Sequence, residues 1–336
     1  MTLSAREKAF GVKERLKSVA RTVLGWIQTG FAFAETYAEL WIAALWFGAT
    51  LWVTLWIWGL EPLVFPATDE AINRQAAWLL RHTGKPYQML PFADPEDMAH
   101  MRNWLTVGDR ALPFFPPVTF YVYGGLSYLG KFGYFLIHAF PASGVAAFAA
   151  GVARLLPKGR RWLALCAPAL GFPALYWLVR PWMNVSPMTA CLCWGLFFWA
   201  HWRSRGTTRW LAASLFSVGA AISVRPDYAA HMMGAALVFS LAAAPEQWKK
   251  ILAYTLAAGS CAVIANLILN TLITGHPLRA VYQLVLEDQV DESRGGPLGM
   301  LTTLVIPMGW PGLEMLRDFF KRYWLELGPL LWLAVA

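Results

Sequence analysis

Long apolar runs separated by short basic turns dominate the chain. About 17 to 25 apolar residues are needed to cross a hydrocarbon core. The pattern predicts such spans at residues 41–60, 132–152, 162–179, 188–202, 210–224, 228–244 and 251–273, with another beginning at 327–336. Those at 188–202 and 210–224 are short, so they are expected to extend into their flanks or to sit where the bilayer thins around a cavity. Residues 70–81 carry an apolar stripe of Ile72, Ala76, Leu79 and Leu80, the spacing of a helix able to lie flat on a bilayer. The last window stops after about ten residues, which suggests a chain that continues or a partial final helix. No internal repeat, low-complexity segment or soluble domain boundary stands out.

Composition turns these windows into a class. Of 336 residues 57% are hydrophobic and 14% charged, with mean hydropathy +0.44, more apolar surface than a soluble core of this length can hide. The expected fold is all-α, a polytopic transmembrane helical bundle of about seven or eight spans with amphipathic surface helices in a long first outer loop. Many of the nineteen Trp stand near window ends, among them Trp41, Trp58, Trp162, Trp182, Trp210 and Trp248, where amphipathic rings favour the headgroup level.

The formal charge of +8 does not point to nucleic acid, because the basic residues fall in short clusters between apolar runs. Membrane lipid is the expected partner instead. The apolar stretch 114–130 decides the topology. As a span it would put Arg154, Lys158, Arg160 and Arg161 outside. As a surface helix it brings that cluster, Arg203, Arg205, Arg209, Lys249, Lys250 and the basic N-terminus to one cytoplasmic side. Residues 1–40 then read as a cytoplasmic basic amphipathic segment without a cleavable signal, and 41–336 as the transmembrane domain. Outer loops of about 61–131 and 274–326, with turns at 180–187 and 225–227, hold nearly all the acidic residues. A multi-pass protein of a bacterial cell membrane is the expected setting.

Candidate chemistry gathers on that outer side. Asp69 and Glu70 follow Pro62 and Pro66 and open the 70–81 helix, where carboxylates favour the exposed N–H groups. Either the pair caps the helix, or one carboxylate caps while the other faces a cavity and accepts a proton. Arg225 in Ser-Val-Arg-Pro-Asp-Tyr and Arg180 in Leu-Val-Arg-Pro-Trp both stand at outer ends of spans. A planar guanidinium there either snorkels to headgroups or binds phosphate bidentately. Asp227 either orients Arg225 or simply pairs with it. A divalent metal held by Asp69 with Glu96, Asp97 or His100 is conceivable, yet the ligands lack a firm spacing and no cofactor is otherwise indicated. The four Cys lie inside apolar runs, and no Walker loop, dinucleotide fingerprint, zincin helix or nucleophile elbow occurs.

The order of these features resembles the GT-C superfamily of membrane glycosyltransferases, closest to the protein mannosyltransferase and aminoarabinose transferase type. The resemblance rests on Asp69-Glu70 running to Gly84-Lys85-Pro86-Tyr87, on Pro116-Pro117-Val-Thr-Phe-Tyr121, and on Val224-Arg225-Pro226-Asp227-Tyr228. It implies inverting transfer of a sugar from a polyprenyl-phosphate donor to a glycan, lipid or protein acceptor on the extracytoplasmic face. Asp69 would be the catalytic carboxylate with Glu70 beside it. Arg225 and Arg180 would bind the donor phosphate, with Asp227, Tyr87 and Tyr121 in support. An acceptor hydroxyl is a weak nucleophile until a carboxylate takes its proton, and one carboxylate suffices when phosphate is the leaving group. The alternative is a transporter or lipid-handling protein without covalent chemistry, for which ionisable groups near the bilayer midplane would be expected.

Overall fold

The computed structural model describes residues 25, 35, 37–61, 68–89, 104–107, 110–113, 117–170 and 178–278. In chain order they form α1 (Ala38–Trp58), α2 (Thr68–Thr83), β1 (Gln88–Met89), β2 (Trp104–Val107), β3 (Arg110–Pro113), α3 (Pro117–Ser127) and α4 (Lys131–Leu155). A 3-10 helix (Arg161–Cys166) then leads into the single turn α5 (Ala167–Leu170), followed by α6 (Val185–Arg205), α7 (Thr208–Val224), α8 (Pro226–Ala243) and α9 (Trp248–Thr274). The protein is mostly helical. Among the described residues, three helical segments are long and apolar enough to cross a membrane: α1, α4, and Pro245–Thr274, in which a 3-10 turn runs into α9.

Small residues set the packing order. Helix α4 buries Ala142, Val145, Ala146, Ala149, Ala150 and Ala153, a face without bulk against which a neighbouring backbone can lie. A Cβ on Gly144 would come within 2.7 Å of Ala190 Cα on α6, and one on Gly219 of α7 within 2.9 Å of the Ala258 carbonyl oxygen on α9. Side-chain hydrogen bonds add to these contacts, Ser214 donating to the Gly195 carbonyl at 2.8 Å and Trp194 to Ser143 at 3.0 Å. The bundle therefore runs α4–α6–α7–α9 in space. Close approach of this kind multiplies the van der Waals contacts between helices, and the interhelical hydrogen bonds fix their register.

One end of the bundle is tied by charge. Glu39 on α1 accepts from Arg154 Nη1 of α4 at 2.8 Å and lies 3.4 Å from Arg161 Nη1 and 3.9 Å from His201 Nε2. Arg154 also donates to Ser204 of α6 at 2.9 Å, and Arg203 to the Ala243 carbonyl ending α8 at 2.7 Å. The basic clusters that follow α4, α6 and α8 thus share one end of the molecule, with a carboxylate among them.

Three expectations change. The 70–81 helix begins at Thr68, and its stripe packs on α3 rather than lying free for lipid: Ile72, Ala76 and Leu79 are buried, and Leu80 fills the space where a Cβ on Gly124 would stand, 2.5 Å away. The window 162–179 is not a continuous helix over its described part. Pro168 has no N–H to give the Ala164 carbonyl, which bonds Ala167 in 3-10 fashion instead. The all-α expectation also misses a three-stranded antiparallel sheet of order β1-β3-β2, in which Leu105 pairs with Leu112 and Gln88 with Ala111.

The close helix contacts are open to test. Gly144→Leu should lower stability by at least about 1–3 kcal/mol through overpacking. Gly48→Ala on α1, where nothing lies within 4 Å of the new Cβ, should be neutral or stabilising by up to about 1 kcal/mol. Thermal unfolding of the detergent-solubilised variants reads both.

Candidate functional site

At the end of the bundle away from Glu39, residues 179–184 pass between α2, α3 and α4. Pro181 offers no N–H, and the short turns there leave carbonyl groups that need partners. Side chains from three helices supply them. Trp58 of α1 donates to the Val179 carbonyl at 2.8 Å, Tyr123 of α3 makes a short hydrogen bond to that of Pro181, and Asn73 of α2 donates to that of Trp182 at 2.8 Å. The backbone closes on itself through Met183 N–H to Arg180 O at 3.0 Å and Ser186 N–H to Met183 O at 3.1 Å. The Trp182 ring is 2% exposed, edge-on to Tyr123 at 5.3 Å and near Tyr134 at 6.0 Å. Burial holds the Tyr123 hydroxyl well above the usual phenol range, so it stays a donor.

The ionic centre is Glu70 with Arg180. Arg180 Nε donates to Glu70 Oε1 at 3.0 Å and Nη2 to Oε2 at 2.9 Å, a two-pronged bond with Glu70 2% and Arg180 8% exposed. Charge-assisted paired bonds of this kind are both strong and directional. They also assign the two side chains to each other. The guanidinium expected on a donor phosphate grips a carboxylate of the same chain, and the carboxylate expected to cap a helix or assist catalysis has both oxygens engaged.

The elements that meet at this end carry buried polar atoms with no hydrogen-bond partner among the described residues: Asn73 Oδ1 on α2, Thr119 Oγ1 on α3, and both amide atoms of Asn184 and Ser186 Oγ at the start of α6. Asn184 and Ser186 are fully buried at the start of α6, and Asn184 makes no capping bond. Thr119 lies one helical turn before Tyr123, on the same face of α3. Leaving such a group unpaired costs about 1–3 kcal/mol. Such atoms are complemented by a small neutral group that both donates and accepts.

The other expected residues are placed as follows. Asp69 lies in the first turn of α2, one residue before Glu70; its side chain is outside the described residues. Arg225 is half-buried at the break between α7 and α8, its N–H on the Ala221 carbonyl at 2.9 Å and Pro226 opening the next helix. The preceding Val224 packs with Met188 of α6, against Val118 of α3 and Val185, the residue after Asn184, so Arg225 and Arg180 stand at the same end of the bundle. The Asp227 side chain is outside the described residues, as are Glu96, Asp97 and His100 of the conceivable metal set. Among the described residues no group of three or more His, Cys, Asp or Glu could hold a metal ion.

Tyr87 and Tyr121 do come together. Tyr87 is buried with Ala76, Leu112, Phe120 and Ile273, and Tyr121 packs against that cluster. Burial first, and next the neighbouring Tyr87, push the Tyr121 phenol above its ordinary range. The Arg110 guanidinium lies 5.2 Å and the Lys85 ammonium 5.8 Å from the Tyr87 ring centre, within cation–π reach. Sequence reasoning passed over Asn73, Thr119, Tyr123, Asn184 and Ser186. Asn73 alone had a local signal, since it follows Glu70 by three residues on one helix face.

Comparison with protein-family models, with curated proteins and with solved structures finds no match.

A double-mutant cycle tests the ionic centre. Glu70→Leu and Arg180→Met alone should each destabilise by about 3–5 kcal/mol, because each strands a buried charge, while the double variant should lose far less than the sum. Denaturation of the four proteins measures the coupling, and strict additivity would remove the pair from the centre of the site.

Proposed function

We propose that the chain is a polytopic membrane glycosyltransferase of GT-C type, moving a sugar from a polyprenyl-phosphate donor to an acceptor on the outer face with inversion. The observation that carries this reading is the set of buried, unpartnered neutral polar atoms on Asn73, Thr119, Asn184 and Ser186 beside a charge-balanced Glu70–Arg180 pair. Sugar hydroxyls donate and accept at once, so they complement an amide and hydroxyl lining without bringing in charge.

In this scheme the adjacent carboxylates divide the work. Glu70 holds residues 179–184 through Arg180, and Asp69, the next residue back on α2, takes the proton of the acceptor hydroxyl. That loss of the proton lets the oxygen attack the anomeric carbon as the bond to the donor phosphate breaks. Arg225 at the α7–α8 break faces the donor phosphate, where a guanidinium stabilises the charge left on the leaving group. Asp227 orients Arg225, and Tyr87 and Tyr121 line the approach from the first outer loop. Helices α6, α7 and α8 cross the membrane beside α1, α4 and α9. At about 1.5 Å per residue, the 17 residues of α7 reach roughly 26 Å, short of a typical core of about 30 Å, so the bilayer thins there. The charge-tied Glu39 end is cytoplasmic.

Purified protein incubated with a panel of polyprenyl-phosphate sugars should release polyprenyl phosphate and glycosylate an acceptor. Asp69→Asn should lower turnover by about 100-fold or more, the scale of a lost general base, and Asn184→Ala should raise the donor or acceptor KM. A wild-type protein that transfers nothing from any donor, or an Asp69→Asn variant of full activity, defeats the mechanism.

A further inference from the structure

The opposite end of the bundle carries an arrangement that the proposed function does not use. Helices α6 and α7 meet at a tight turn in which Gly206 adopts φ +69° and gives its N–H to the Trp202 carbonyl at 2.7 Å. This turn holds Arg205 and Arg209 over one indole. Their guanidinium carbons lie 5.8 Å and 5.3 Å from the Trp210 ring centre. Trp210 is itself fixed by Phe198, stacked at 5.8 Å, and by His201 at 5.1 Å, both on α6.

Two cations held over one ring concentrate positive charge at a place where one anion can meet both. The turn supplies no anion, since residues 203–209 contain three arginines and no acid. Among the described residues no carboxylate pairs with Arg205 or Arg209, while Glu39 is occupied by Arg154, Arg161 and His201. Both arginines are exposed. The Thr207 side chain makes no capping bond at the start of α7, so the helix N-terminus adds positive potential at the same place.

We propose that Arg205, Arg209 and Trp210 form a binding site for the phosphate of an anionic membrane phospholipid. A phosphodiester accepts paired guanidinium bonds, and a lipid is favoured over a soluble anion because apolar surface flanks this end. Trp248, half exposed, opens α9 with Lys249 Nζ 5.6 Å from its ring centre, and Val238 and Phe239 stand exposed about a turn before the Ala243 carbonyl held by Arg203. Exposed indoles of this kind mark the headgroup level, and the aliphatic surface beyond them receives the acyl chains. The site is independent of any sugar transfer.

Native mass spectrometry of the detergent-purified full chain, titrated with phosphatidylglycerol, phosphatidylcholine or inorganic phosphate, tests this. Saturable retention of phosphatidylglycerol is expected, with neither of the other two retained. Arg205→Gln with Arg209→Gln should weaken that retention by about tenfold, the effect of about 1.4 kcal/mol. Lys158→Gln with Arg160→Gln, which removes the same charge from another exposed turn, should leave it unchanged. Trp210→Leu keeps both charges and should still weaken binding, with a thermal melt confirming that the variant is folded. Equal losses in the two charge-matched pairs would reduce the site to diffuse surface charge, and full competition by inorganic phosphate would make it a simple anion site; either overturns the proposal.

Discussion

The buried bond between Glu70 and Arg180 is the contact on which the rest of the candidate site depends. It joins residues 110 apart in sequence. Neither charge tolerates burial alone, since the desolvation of an unpaired ion costs several kcal/mol. Helix α2 must therefore meet residues 179–184 in one register. That register turns Asn73 and Ala77 toward Trp182 and leaves the apolar stripe of α2 to pack on α3. Because α2 is held on both sides, the small sheet that follows it is brought against the same cluster through Leu112 and Tyr87.

Polar bonding at both ends and close approach in the middle divide the task of holding the helices. At one end Glu39 gathers the guanidinium groups of α4 and of the 3-10 helix that follows it, with the His201 ring of α6 beside them. At the other, Arg180 and three accepting carbonyls gather α1, α2 and α3. Between them the contacts are Gly144 on Ala190 and Gly219 on Ala258, where the surfaces are uniformly apolar and only fit distinguishes the right neighbour. Each end limits how far helices can slide along each other, and the glycines allow them to approach closely.

The sequence made the long helices legible because their signal is local. The windows at 41–60, 132–152, 188–202, 210–224 and 251–273 all fall on helices found in the structure, whose ends differ from the windows by up to three residues, as where Gly59 ends α1 two residues before its window does. The packing of α2 was harder, since the same apolar stripe serves against lipid or against another helix, and its packing partner α3 begins more than thirty residues after α2 ends. The sheet escaped because its strands are two to four residues long, although Gly108-Asp109 between the runs 104–107 and 110–113 is a hairpin signature. Within the site, Arg180 and Glu70 were each visible as charges at a suggestive place. Their mutual bond was not, because an Arg-Pro at a helix end looks alike whether it meets a headgroup, a phosphate or a distant carboxylate. Asn184 and Ser186 carry no local pattern at all; only burial marks them.

Besides the Arg180 and Trp182 side chains, the segment at residues 179–184 is held by its carbonyl oxygens. Every residue type carries that acceptor, so the attachment of Val179 and Pro181 is indifferent to their own identity and depends on the donors Trp58 and Tyr123. At Val179 and Pro181, mutational sensitivity is thereby displaced from the residue that is positioned to the helices that position it. Such an arrangement allows the side chains at these two positions to diversify while the backbone path stays fixed.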